Sequence, residues 1–114
     1  MGWTRWRKIA EGDEYLSDWS DYDGPAVYEL GTGRPDGGDI QPHYVGETQC
    51  ECERINAYAR HGSHLRCIIE IHLDLGWSLY YRATACGSKN EAKRRQDELL
   101  RRFDYDWNIV LNRR

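Results

Sequence analysis

The stretch Gly24–Thr48, "GPAVYELGTGRPDGGDIQPHYVGET", decides the fold. Pro25 to Leu30 alternates apolar and polar positions and is rich in strand formers. Gly31 to Asp39 is dense in glycine, proline and aspartate, the residues that build turns. Ile40 to Glu47 then reads as a second strand. The three segments together predict a β-hairpin with a long loop. One tyrosine falls in each strand, Tyr28 and Tyr44, and pairing can bring both phenols to one side of the sheet. On the residues alone this is equally an ordinary cross-strand aromatic pair. Gly46 follows Tyr44 by two, and a glycine inside a strand marks the close approach of another group.

Downstream, "TQCECERINAYARHG" reads as a helix, with Thr48 as N-cap, Glu51 three residues on and Gly62 as its stop. "SHLRCIIEIHLDLG" fits two periods. Leu65, Ile68, Ile69 and Leu73 suit a helix, whereas Cys67, Ile69, Ile71, Leu73 and Leu75 suit a strand. Ser63 as N-cap and Gly76 as terminator favour the helix. Trp77 to Cys86 is a strand. "NEAKRRQDELLRRF", Asn90–Phe103, is a helix that starts near Ser88, with Glu91 as the capping-box partner. Upstream, residues 1–23 form a lead-in, with room for a short helix, that packs Trp3, Trp6 and Trp19 on the domain of residues 24–114. The order is β-β-α-(α)-β-α. It predicts a small α/β sandwich with a short three-stranded mixed sheet, the hairpin plus one strand, flanked by helices.

A chain of 114 residues can bury one modest core. No apolar run approaches the ~18 residues of a membrane span, and the first residues lack the apolar block of a signal peptide. The expectation is a cytoplasmic protein with no membrane partner. Residues 1–52 carry 11 acidic and 4 basic side chains, against 8 and 12 in residues 53–114. The acidic total argues against nonspecific coating of nucleic acid, yet a basic face from the second half can meet phosphate. Cys50, Cys52, Cys67 and Cys86 form no C-x-x-C pair, so zinc is not expected and reduced thiols are.

Two features suggest chemistry. Arg54, Tyr58 and His61 project from one helix face at i, i+4 and i+7. Arginine offers a planar fork to phosphate oxygens, so the stripe suits an anionic substrate; the same spacing also describes an exposed polar face. In the last long helix Gln96 shares a face with Ala92, Leu99, Leu100 and Phe103. An inward amide costs roughly 1–3 kcal/mol unless hydrogen-bonded, so Gln96 is either a satisfied core polar group or part of a site.

These residues assemble into a pattern. "AVYEL" followed by "HYVGET" resembles the paired motifs that name the GIY-YIG nuclease superfamily. Arg54 lies ten residues after Tyr44 and Tyr58 four further on, where the family places an arginine and a histidine or tyrosine. The segment ending in Trp107 and Asn108 resembles the family's glutamate-bearing helix followed by an asparagine behind an aromatic. The resemblance covers Gly24 to Leu111. It implies metal-assisted hydrolysis of DNA with one Mg²⁺ or Mn²⁺ ion. Arg54 would stabilise charge on the phosphate, and Tyr28 or Tyr44 would position or deprotonate the attacking water. A phenol of pKa about 10 needs a metal, a cation or a hydrogen-bond partner for that task, and Tyr58 and His43 are candidates to support it. Asn108 would orient the catalytic side chains or close the site.

Three departures stand out. Ala26 replaces the first motif glycine. The Tyr28–Tyr44 separation, 16 residues, is longer than in compact members. With Asn108 fixed against the excision-repair incision nucleases, the metal-binding glutamate falls on Gln96, a neutral residue, and magnesium prefers carboxylate. Either a natural glutamate has been replaced to switch the enzyme off, or the domain binds DNA without catalysis, or the ligand is out of register at Glu91 or Glu98. The resemblance suggests a small stand-alone nuclease of a bacterium or phage, with DNA as partner and a homodimer compatible with cutting both strands. The competing class is a non-enzymatic interaction module that uses the aromatic lead-in as its contact surface.

Overall fold

The computed structural model describes residues 2–16, 22–59 and 64–111. The predicted hairpin is present as β3 (Ala26–Gly33) and β4 (Gln41–Thr48), with Tyr28 opposite Gly46 and Leu30 opposite Tyr44. Two helices follow, α1 (Glu51–Ala59) and α2 (Arg66–Asp74), and return the chain to β5 (Ser78–Ala85), which pairs with the other side of β3. Both neighbours of β3 therefore run antiparallel to it.

The expected sheet of three mixed strands is corrected to five, all antiparallel, in the order β2-β1-β5-β3-β4. The crossover from β4 to β5 joins two strands of like direction, but β3 lies between them, so no parallel pair forms. The two extra strands come from the lead-in: β1 (Arg7–Glu11), which pairs with β5, and β2 (Glu14–Tyr15). Their signal was hidden by a bulge between Lys8 and Ala10, where the register shifts. Consecutive residues Ile9 and Ala10 are both buried in one cluster, which erases the period-two pattern of a strand.

Helices cover both faces of the sheet. On one face Tyr28, Leu30 and Tyr44 pack with Ile55 and Tyr58 of α1 and Ile69 and Leu73 of α2. On the other, Val27 and Val45 pack with Ala92 of α3 (Lys89–Arg102) and with Tyr105. The ambiguous segment is helical: Leu65, Ile69 and Leu73 of the helix set are buried, whereas Cys67, Ile71 and Leu75, which belong to the strand set alone, are exposed, Ile71 at 58% and Leu75 at 71%. Gly76, at φ +95°, ends α2 in a conformation that L side chains resist. Ser63, its expected N-cap, lies outside the described residues, as do Trp19, His61 and Gly62. In α3, Ser88 accepts from the Glu91 amide at 3.1 Å, as its capping motif predicts. Phe103, expected inward, is 53% exposed, because the helix ends at Arg102 and the backbone turns extended.

The far face holds a partly buried ion pair, with Glu29 sealed and Arg82 half-exposed. Glu29 accepts from Arg82 Nε at 2.7 Å and from the Tyr105 hydroxyl. Trp3 and Trp6 cover the Arg82 guanidinium at 4.8 and 4.6 Å, so these lead-in tryptophans do pack on the domain. On the open side of β4, the Asn108 side chain of α4 (Asp106–Leu111) acts as a substitute strand. Its Oδ1 accepts from the Val45 amide at 2.9 Å and its Nδ2 donates to the Val45 carbonyl at 3.0 Å. Val45 lies between Tyr44 and Gly46, so this clamp fixes the strand where the site is built. Asn108→Ala leaves both Val45 groups unpartnered and is expected to cost about 1–3 kcal/mol. Urea denaturation followed by tryptophan fluorescence measures the loss.

Candidate active site

Three phenols meet on the α1/α2 face. The Tyr28 and Tyr58 hydroxyls are 2.8 Å apart and buried. The Tyr28 ring lies 6.2 Å from Tyr44 and 5.9 Å, edge-on, from Tyr58. The Tyr44 hydroxyl faces the same pair, close enough for both to act on its ionisation. Gly46 makes this geometry available. A β-carbon there would come within 2.5 Å of the Tyr28 hydroxyl oxygen and 2.6 Å of its ring, so the ring crosses β4 only because that side chain is missing.

Burial pushes all three phenols upward, Tyr28 well above the ordinary value. At Tyr44 burial is opposed by the Arg54 guanidinium and by hydrogen bonds from Tyr28 and Tyr58. Tyr44 is thus the phenol whose ionised form its neighbours support. Arg54, exposed on α1, acts electrostatically on all three. It lines a cavity of about 330 Å³ with Glu47, Glu53 and Lys89. His64, which no sequence motif marks, adds an imidazole, its ring 6.0 Å from Tyr44. Burial, then the Arg54 charge, holds it below the ordinary histidine value and favours a neutral ring.

Tyr28, Tyr44, Arg54 and Tyr58 therefore come together, with Gly46 beneath them. Other candidates do not join. His43 meets no tyrosine of the cluster: Nε2 is 2.9 Å from Thr32 Oγ1, Nδ1 is 2.8 Å from Asp106 Oδ1, and the ring stacks on Trp107 at 4.8 Å. The cause is a register shift in the hairpin, where Leu30 pairs with Tyr44 but Gly31 with Pro42, leaving His43 as the extra residue of a bulge. His61 lies outside the described residues. Asn108 binds backbone and orients β4 rather than a side chain of the cluster.

The metal position has a definite character. Gln96 is half-buried and makes no hydrogen bond or ion pair among the described residues, so it is not the satisfied core amide that its helical face allowed. Glu91 accepts from the Gly87 amide and closes the start of α3. Glu98 lines a small cavity with Trp3, Val27 and Thr84, on the face away from the tyrosines. Neither carboxylate is placed to stand in for residue 96. Among the described residues no group of three or more histidine, cysteine, aspartate or glutamate side chains is arranged to hold a metal.

A sheet sandwiched by helices, with two motif tyrosines on adjacent strands and an arginine on the next helix, defines the class. The chain belongs to the GIY-YIG domain family: the model of GIY-YIG domain-containing proteins matches residues 16–114. It is also similar to Protein EFFECTOR OF TRANSCRIPTION 2 of Arabidopsis thaliana, at 29% identity over 112 residues. That alignment covers 74% of this chain and 23% of the relative's length. The relative is a plant protein, so it lends no support to the expected bacterial or phage setting. No solved structure matches the chain.

The raised phenols set a pH dependence. An unfolded tyrosine ionises near pH 10, whereas Tyr28, Tyr44 and Tyr58 resist ionisation when folded. Their stabilising contribution is complete below pH 10 and is lost as pH rises beyond it. Thermal midpoints are expected to be level from pH 7 to 9 as far as these groups are concerned, then to fall steeply. Absorbance at 295 nm should show Tyr28 and Tyr58 ionising only as the protein unfolds.

Proposed function

We propose that this domain is a DNA endonuclease of the GIY-YIG type, hydrolysing a phosphodiester bond at the Tyr28–Tyr44–Tyr58–Arg54 cluster. The convergence of the three phenols, with Arg54 acting on all of them and itself lining an open cavity, is the observation that carries the proposal. Arg54 contacts a non-bridging phosphate oxygen and stabilises the charge that builds there. Tyr44 positions the attacking water, and Tyr28 and Tyr58 hold its hydroxyl in place. As the new phosphorus–oxygen bond forms, the water proton passes to neutral His64, directly or through the Tyr44 hydroxyl. The bond to the leaving oxygen breaks, and that oxygen takes a solvent proton. The products are one phosphomonoester end and one hydroxyl end.

Mg²⁺ or Mn²⁺ is the cofactor that family chemistry calls for. Its assigned seat does not fit: Gln96 brings no charge, Glu91 caps its helix and Glu98 faces away. No step above is routed through a metal at that seat. A second reading, a DNA-binding module without catalysis, is favoured by the neutral Gln96 and by the transcription-related name of the Arabidopsis protein.

Supercoiled plasmid with Mn²⁺ or Mg²⁺ separates the two. Nicked or linear product is expected, and Arg54→Ala should slow its appearance about 10²–10³-fold. Undiminished cleavage by Arg54→Ala overturns the assigned site. A gel shift at low salt without cleavage favours the second reading. His64→Gln should lower kcat and remove the acid limb of the pH profile, which lies below the ordinary histidine value in the parent protein.

A further inference from the structure

Two thiols meet beside the site. Cys50 and Cys52 flank Glu51, the first residue of α1, and their Sγ atoms are 3.4 Å apart. Both are half-buried and free. The other two cysteines stand apart from this pair. Cys67 is exposed on α2, and Cys86 is buried with its thiol on the Thr84 carbonyl.

Backbone hydrogen bonds hold the pair in place and tie it to Arg54. The Cys50 amide donates to Thr48 Oγ1 at 3.1 Å, and the Cys52 amide donates to the Tyr22 carbonyl at 2.8 Å. The Cys50 carbonyl accepts the Arg54 amide at 3.2 Å. Cys50 and Arg54 also line the same open cavity. A change in the two sulfurs is therefore transmitted to the turn that carries the arginine.

We propose that Cys50 and Cys52 form a redox modification site, which exchanges with a small disulfide such as oxidised glutathione and closes to an internal disulfide that weakens the hold of Arg54 on phosphate. The Cys52 thiol is held above its ordinary range, first by its hydrogen bond with Cys50 and then by burial, so it keeps its proton. Cys50 is thus the attacking sulfur. Its thiolate attacks one sulfur of oxidised glutathione, forms a mixed disulfide and releases one glutathione thiolate. Cys52 then loses its proton and attacks Cys50 Sγ, expelling the second glutathione. The chain gives up two protons and two electrons, and one glutathione disulfide becomes two thiols. The sulfurs must close from 3.4 Å to the ~2.05 Å of a disulfide. The two side chains and the first turn of α1 absorb that movement, and Arg54 shifts with the turn. In a reducing compartment the pair rests as thiols and responds to oxidant. By linkage, bound DNA should favour the reduced pair by the same factor that oxidation weakens DNA binding.

The effect on DNA rests on the nuclease reading; formation of the disulfide does not, and the test reads the two separately. The full chain is incubated with oxidised glutathione, quenched with N-ethylmaleimide and mapped by peptide mass spectrometry. Fluorescence anisotropy reports binding of a short duplex in parallel. The expected product is an internal Cys50–Cys52 disulfide, reversed by dithiothreitol and formed before glutathione accumulates on Cys67. Cys52→Ser should trap the mixed disulfide on Cys50. Oxidation should weaken duplex binding about 10-fold, within the range of coupled sites, and the Cys50→Ser, Cys52→Ser double variant should not respond to oxidant. Glutathione spread over Cys50, Cys52 and Cys67, with no internal disulfide in the parent protein, overturns the proposal whatever the variants do. A disulfide that leaves duplex affinity unchanged overturns its control of Arg54. Failure of the reduced protein to bind duplex overturns the nuclease reading and that control with it, while the peptide map alone decides the dithiol.

Discussion

The site depends on one close approach: the ring of Tyr28 lies across β4 at Gly46. Any side chain at position 46 would occupy space already filled by the phenol. The ring is then trapped among the sheet, α1 and Tyr44, and its buried hydroxyl must find a partner. Tyr58 supplies one, and Tyr44 joins the pair. A structural demand for hydrogen bonding thus produces a chain of phenols that opens, at Tyr44, toward Arg54. The requirement for tyrosine, tyrosine and glycine at their spacings is physical. It follows from cross-strand pairing and the space under one ring.

The rest of the fold keeps that approach in register. β3 is hydrogen-bonded on both sides and buried along its whole length. Behind it, Glu29 is locked by Arg82 and Tyr105, and two tryptophans from the chain's first residues cover the guanidinium. Removing Arg82 would leave the buried Glu29 carboxylate short of its cation, so the pair resists sliding of β3. At the other edge, Asn108 holds Val45 by both backbone groups. The strands carrying Tyr28 and Tyr44 are clamped from opposite sides of the molecule, and the phenols meet between the clamps.

Much of this was legible in the residues. The hairpin showed as alternation broken by a glycine- and proline-rich turn. Tyr28, Tyr44, Arg54 and Tyr58 could be placed together because strand pairing and helical spacing act over short range. What escaped depends on long-range packing. β1 and β2 were hidden by a bulge that buries Ile9 and Ala10 in succession. His43 was misplaced because a second bulge re-aims one residue of β4 toward Thr32 and Asp106. Glu47 reads in sequence as an ordinary strand carboxylate, and only the tertiary fold seals one of its oxygens. His64 follows a glycine and a serine that gave no sign of its approach to Tyr44. Gln96 was visible as a mismatch, but its lack of partners was not.

The proposed function requires that DNA phosphate meet the protein at the phenol cluster and not at the aromatic face behind the sheet. That far face is a fair competitor, since Trp3, Arg82, Tyr105 and the exposed Phe103 line a cavity of about 320 Å³ there. Nuclear magnetic resonance mapping with an isotopically labelled chain and a short duplex, without divalent metal, decides between them most directly. The largest shift changes are expected at Tyr44, Glu47, Arg54, His64 and Lys89, with Trp3 and Arg82 unmoved. Changes centred on Trp3, Arg82 and Phe103, with the cluster silent, would place the DNA on the far face instead.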